Sequence, residues 1–294
     1  MLRRAMLAGL IALLSYTSAT AAAPAWKVSK GDEYLYIGGT IHVLSSQDYP
    51  LPAPFEKAYQ DAEWIVFETD INALSSAEFQ QQVMNTLTYT DGTTFHSTLN
   101  DDTIAALDKH FTSRGVPMQN FVTFKPSFLA LTLSNIEFQL IGLTSDGVDH
   151  YYAKRARNDG KRVAWLESPT EQLSFMESLG KGEENELITY TLAEIDTLAA
   201  SVNELRTQWR AGDMEGLAES QLTDMVNDFP AVYDDLLVQR NNRWLPQIEA
   251  MFISPEKEFV LVGALHLAGE HSVLKMLADK GYHVEKFSGE QHGQ

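Results

Sequence analysis

The chain has 294 residues, with 40 acidic against 22 basic side chains, a formal net charge of −18 and no cysteine. The acidic balance argues against nucleic acid as a partner. The missing thiols exclude disulfides, thiolate metal ligands and a lipid-modified cysteine.

In chain order, Arg3 and Arg4 precede an apolar run from Ala5 to Leu14 and a small-residue stretch ending in Ala21, Ala22 and Ala23. This is the layout of a cleavable secretory signal. The run is too short for a permanent span, and no later stretch is long enough, so no stable membrane insertion is expected. We read residues 1–23 as a signal peptide and residues 24–294 as the mature domain, located in a bacterial periplasm or secreted.

Tyr34 to Ile37 is short, apolar and aromatic and reads as a buried strand ending at Gly38-Gly39. A helix over Phe55 to Ala62 and a second buried strand, Trp64 to Phe67, complete an opening β-α-β unit that stops at Glu68-Thr69-Asp70. The middle is helical. Ser75 to Glu78 suggests a capping box, Asn100 caps a helix with Ile104, Leu107 and Phe111 on one face, and further helices run from Pro126 to Leu140 and from Gly147. A third strand, Arg162 to Leu166, leads to a helix start at Ser168, where an N-cap, Pro169 and Glu171 combine. From Glu183 to Phe252 the pattern is helical, with breaks near Gly212, Pro230 and Pro246, and suggests a layer or lobe of its own. Phe259 to Val262, a helix from Glu270 to Gly281 and a strand from Tyr282 to Phe287 close the chain with a second β-α-β unit. The expected class is α/β: a central mixed, largely parallel sheet from the two terminal β-α-β units, plus a large helical part from the middle.

Gly39-Thr40-Ile41-His42 and Gly263-Ala264-Leu265-His266 share the pattern Gly-x-x-His, each directly after an apolar strand. The bare pattern also occurs at Gly147 to His150 and at Gly289 to His292, so strand-end context is what separates the two. In α/β sheets, ligands bind outside the carboxyl ends of the strands. Glu68 ends the second strand similarly, so three parallel neighbours would bring His42, Glu68 and His266 together. Glycine would let the chain turn sharply after each strand. Two imidazoles and a carboxylate form a first shell for a divalent ion. Each also has an ordinary structural reading: strand-end histidines are commonly hydrogen-bonded scaffold residues, and Glu68 or Asp70 can cap a helix or hold a salt bridge. The His-Glu-x-x-His helix of common zinc peptidases is absent.

On these residues the chain resembles the TraB/GumN family, relatives of the Tiki metalloproteases and, more distantly, of the haem-binding ChaN proteins and the erythromycin esterases. The resemblance spans nearly the whole mature chain. It is carried by Ile37 to His42, Phe67 to Asp70 and Val262 to Leu267, and more weakly by Lys125-Pro126, Gly147 to Asp149, Leu166 to Ser168, Glu171 to Leu173 and Arg240 to Trp244. Ser127 stands where the family often has Trp.

The resemblance implies that His42, His266 and Glu68 form the catalytic and metal-binding set of a hydrolase, most simply a peptidase acting on a peptide or protein. The cofactor would be a divalent ion such as manganese, cobalt or zinc. Glu68 is either a ligand or the general base. Arg240 and Arg243, three apart on a helix, are candidates for binding a substrate carboxylate or stabilising an oxyanion, with a solvated basic face as the ordinary alternative and Arg240 favoured by the family pattern. Asp149 and Glu167 are candidate supports for these groups. The alternative is a haem- or iron-binding protein with phenolate ligands from Tyr151 and Tyr152. His96, His110, His271 and His292 read as surface residues.

The signal reading predicts that mature protein from a bacterial host starts between Ala22 and Ala25 and fractionates with the periplasm. N-terminal sequencing checks it, and soluble folded protein that begins at Met1 refutes it.

Overall fold

Six strands form one sheet in the computed structural model, which describes residues 23–42, 44–144 and 147–289. The expected signal peptide and His292 lie outside the described residues. In chain order the strands are β1 (Ala25–Lys30), β2 (Glu33–Thr40), β3 (Trp64–Phe67), β4 (Arg162–Trp165), β5 (Glu258–Gly263) and β6 (His283–Lys286). Their order across the sheet is β4-β3-β5-β2-β1-β6. The strands β4, β3, β5 and β2 are mutually parallel, while β1 runs antiparallel to both β2 and β6. This is the expected α/β class, with a mostly parallel mixed sheet.

The helices are α1 (Ala53–Asp61), α2 (Ile71–Leu74), α3 (Ala77–Leu87), α4 (Asp101–Ser113), α5 (Pro126–Leu140), α6 (Val148–Asp159) and α7 (Pro169–Ser178), followed by α8 (Glu184–Ala211), α9 (Met214–Asp228), α10 (Pro230–Tyr233), α11 (Gln239–Met251) and α12 (Val273–Asp279). Among the described residues no helix is long and apolar enough to cross a membrane. Local chemistry sets many of the starts. Asn100 accepts from Thr103 N, and Ser168 and Glu171 close a reciprocal capping box.

Several expectations need correction. The chain opens with the β1–β2 hairpin rather than with β-α-β, and β2 continues through Gly38 and Gly39 to Thr40. The β6 strand does not join β5 but crosses to the far edge beside β1. Ser76 caps α3 alone, through Phe79 N. Pro246 sits inside α11 without ending it, because burying Trp244, Leu245 and Ile248 on either side offsets one lost backbone bond. The separate helical core is not built from the segment after Glu183 alone: Leu107 and Phe111 of α4, Leu129 and Leu133 of α5, and Ile188 and Ile195 of α8 share it. His110 is no free surface residue either, since it is largely buried and its Nε2 lies 3.1 Å from Glu137.

Side chains of the central strands alternate between the two faces. Ile65, Phe67, Phe259 and Leu261 pack with Phe55, Tyr59, Tyr152 and Trp209 on one side. Val66, Val260 and Val262 pack with Trp244, Ile248, Val273 and Leu277 on the other. Each face is therefore sealed, and only the strand ends remain for chemistry.

Truncations within these faces should lower stability by leaving cavities. Leu261→Ala is expected to cost about 2–5 kcal/mol and Val66→Ala on the order of 1–3 kcal/mol. Denaturant melts of both variants check this; values near zero would mean that the strand centres are not packed as described.

Candidate active site

The central order β3-β5-β2 sets Glu68, His266 and His42 at the carboxyl ends of three adjacent parallel strands. They surround Gly263. A Cβ built on that glycine would lie 3.2 Å from Glu68 Oε1, 3.5 Å from His266 Cδ2 and 3.8 Å from His42 Nε2. The missing side chain thus leaves the space on which the three groups converge. Neither Gly39 nor Gly263 has a positive φ, so sharp turning is not what they supply. Gly39 allows close approach instead: its Cβ would meet the Ala264 backbone at 3.2 Å. Its carbonyl is fixed by buried Trp209, whose indole N–H donates to it at 2.7 Å.

Each converging group is held from behind. His42 Nδ1 lies 3.1 Å from Asp149 Oδ2, and because a carboxylate only accepts, Nδ1 carries the proton and Nε2 faces Gly263. Asp149 reaches this position because α6 starts against the segment after β2, with Val148 N donating to Ile41 O at 3.1 Å. A Cβ on Gly147 would overlap the carbonyl groups of Ile41 and His42. Gly147 to His150 is the Gly-x-x-His copy that lacks a strand before it, yet His150 lines the same cavity.

Glu68 Oε1 accepts from Gly263 N and Glu68 Oε2 from Arg240 Nη2, both at 2.6 Å. His266 is buried against the Trp244 ring, with centroids 4.3 Å apart. Its Nε2 lies 3.1 Å from Arg240 Nη1, and a guanidinium has no acceptor, so Nε2 is the unprotonated nitrogen. Nδ1 then donates to Asn241 Oδ1 at 2.7 Å, and Asn241 Nδ2 donates to His271 O at 2.9 Å, which fixes its amide orientation. Sequence reasoning gave Asn241 no role; its position next to Arg240 on α11 was the signal.

Arg240 is buried, and its remaining N–H groups go to Glu167 and to Leu236 O. The π-helical turn Asp234–Val238 leads directly into α11 and delivers both Leu236 and this side chain. Arg243 is exposed, 4.8 Å over the Phe175 ring, and does not line the cavity. Glu167 follows β4, and its N–H donates to Glu68 O at 2.9 Å, so two buried carboxylates share one guanidinium. Asp70 caps α2 through Asn72 N and Ala73 N. Tyr152 is packed in the core, Tyr151 rests on Tyr49, and neither phenol lines the cavity. Ser127 is buried at a different cavity, beside Lys125 and Glu177.

These contacts set the charges. Asp149 raises His42 to a pKa of about 9, so the imidazole is cationic at neutral pH. Burial pushes His266 down to about 3, so it stays neutral. Burial opposes ionisation of Glu68, but the Arg240 and His42 charges and the Gly263 N–H bring it down to about 2. Burial holds Glu167 above the usual carboxylate range despite Arg240. His42, Glu68 and Arg240 line the floor of a cavity of about 420 Å³, walled by Ile71, Leu74, Phe175, Met176 and Leu179, while His266 is buried and does not line it.

The residue types fit a divalent ion in kind, two imidazoles and one carboxylate near one glycine, with Asp149 and Asn241 orienting the rings. Among the described residues, however, no group of three or more His, Asp or Glu stands at metal-binding spacing. His266 Nε2 is 3.8 Å from Glu68 Oε1, and its single lone pair is engaged by Arg240. Ligation and that hydrogen bond exclude each other.

His42 should titrate near pH 9 and move markedly lower in Asp149→Asn, as read by NMR of the imidazole protons. Because the folded-state value is raised, the stability from this pair is present below the unfolded value and lost as pH rises through about 9. An unshifted His42 in the wild type would remove Asp149 as its partner.

Among curated proteins, the chain is 25% identical over 250 residues to Uncharacterized protein YbaP of Escherichia coli (strain K12), covering 84% of this chain and 89% of that one. The protein of the same name from Shigella flexneri matches with the same identity and coverage. Metalloprotease TIKI2 of Danio rerio is 22% identical over 305 residues, covering 85% of this chain and 58% of its own length. No solved structure matches the chain. The model of the TraB/PrgY/gumN family covers residues 24–286, including every strand and every residue of the cluster around Gly263, and the chain belongs to that family.

Proposed function

We propose that the protein is an exported metal-dependent hydrolase acting on peptides, with His42, Glu68 and His266 holding a divalent ion. The observation that carries this reading is the convergence of His42 Nε2, Glu68 Oε1 and the buried His266 ring on Gly263, beside a cavity that His42, Glu68 and Arg240 line. The relationship to a metalloprotease supports it. A bound ion would polarise the scissile carbonyl and lower the pKa of a coordinated water.

The chain's own groups have definable parts. Glu68, held down to about 2, is a weak base at neutral pH and suits a ligand better than a general base. His42 must give up a proton before Nε2 can ligate, and Asp149 then keeps the remaining proton on Nδ1. Arg240 donates all five of its N–H groups to Glu68, Glu167, Leu236 and His266, so it has none to spare for substrate in this state. Opening the contact to His266 frees that imidazole's lone pair and, in the same movement, one N–H at the cavity floor. That donor is placed to stabilise an oxyanion.

His42→Ala, His266→Ala and Glu68→Gln are each expected to lose bound metal and to reduce peptide cleavage by at least about 100-fold, since each would remove a ligand from the ion that activates the water. Cleavage assays with manganese, cobalt and zinc, metal analysis and a melting curve are needed for each variant. Wild-type turnover and metal content in His42→Ala and His266→Ala would refute the proposal. A Soret absorption in the purified protein would favour haem binding instead.

A further inference from the structure

The cavity contains two polar groups that the arrangement around Gly263 does not use. Thr40 and Thr69 are each only 3% exposed, line the cavity, and have hydroxyl oxygens without a hydrogen-bond partner among the described residues. Burying a hydroxyl unpaired is costly, so such groups point to a ligand that satisfies them. Their placement restricts that ligand. Thr40 ends β2 and Thr69 follows β3, the two strands that flank β5. Two inter-strand spacings separate them by on the order of 10 Å, about three residues of extended chain. A peptide lying across the strand ends would set one backbone group at each hydroxyl, with Gly263 and its surrounding side chains between.

The opposite wall has a different character. Ile71 and Leu74 of α2, Phe175 and Met176 of α7, Leu179 and Leu236 present no charge, while every ionisable group of the cavity lies on or beside the floor. We propose, on the hydrolase reading above, that the substrate is an extended peptide gripped by the Thr40 and Thr69 hydroxyls, with a large apolar residue next to the scissile bond seated against this wall. Among the described residues, the only polar side chain on this wall is the uncharged amide of Gln172, so a carboxylate seated there would lose hydration that this amide replaces only in part. The acidic surface of the chain opposes it further.

The test uses the purified full chain and dye-labelled hexapeptides that differ at one central position, carrying Leu, Met, Phe, Ala, Glu or Lys. Binding is measured by fluorescence anisotropy with a chelator present, and cleavage separately with added manganese. Peptides with Leu, Met or Phe are expected to bind at least about tenfold tighter than the Glu peptide. Met176→Lys should shift the preference toward Glu. Thr40→Val and Thr69→Val should each weaken peptide binding about three- to tenfold while leaving the melting temperature equal or higher, since each removes an unpaired buried hydroxyl. A structural threonine would show the opposite sign in the melt and no selective effect on binding.

Apolar-selective binding without cleavage under any metal would leave this inference standing and remove the hydrolase reading. Cleavage without preference at the central position would do the reverse. Equal affinity for the Leu and Glu peptides, absence of binding, or binding unchanged in both threonine variants would overturn the inference.

Discussion

Arg240 ties α11 to the ends of three neighbouring strands of the sheet. The guanidinium lies on α11, Glu68 follows β3, Glu167 follows β4 and His266 follows β5, yet all converge on one buried side chain. A charge taken out of water is tolerated only when its hydrogen bonds are complete, and here all five N–H groups are used. Removing a partner from such a cluster typically costs on the order of 3–5 kcal/mol, because the remaining charge is stranded. The carboxyl edge of the sheet is therefore held by electrostatics where packing cannot hold it. The faces of the sheet are closed by apolar layers, and the edge is closed by ion pairs.

The position of that edge follows from backbone constraints earlier in the chain. With β5 seated between β2 and β3, its end becomes the centre of the site, and Gly263 occupies that centre. Close approach then recurs: Gly39 against Ala264, and Gly147 against the carbonyl groups that lead into and out of His42. At both places a side chain would force two segments apart. The glycines of the Gly-x-x-His pattern thus allow the strand ends to approach one another closely, and the histidines that follow converge on Gly263. The second copy of the pattern, at Gly147 to His150, uses its glycine similarly but delivers Asp149 in place of a converging imidazole.

Much of this was legible in the sequence because the signals were local. Trp64 to Phe67 reads as a buried strand from four residues, and the capping groups of Asn100 and Ser168 act on backbone amides three positions away. His42, Glu68 and His266 were legible for a related reason: each directly follows such a strand, and parallel neighbours share an end. The features that escaped depend on distant partners. Nothing within Trp26 or Val28 states that β1 will pair with β6 some 250 positions later, and Asn241 acquires its role only when His266 arrives. The helical spacing of Arg240 and Arg243 could not say which of them faces inward, because that is decided by the Glu68 and Glu167 carboxylates that await one of them.

The cluster is also asymmetric, and this asymmetry bears on how it can work. His266 is buried beneath Trp244, locked by Asn241 and neutral, whereas the His42 side chain is 59% exposed, charged and held by Asp149. One side of the site is buried and fully hydrogen-bonded, and the other is open to solvent and to the proton concentration. In the proposed reading, Glu68 and His266 form a preorganised half whose lone pair Arg240 guards, and His42 forms the half that responds. Ion entry then needs two local changes, a proton lost from His42 and a hydrogen bond released at His266. Both are motions of side chains and protons around a fixed backbone, so the sheet edge can stay in place while its charge pattern is rearranged.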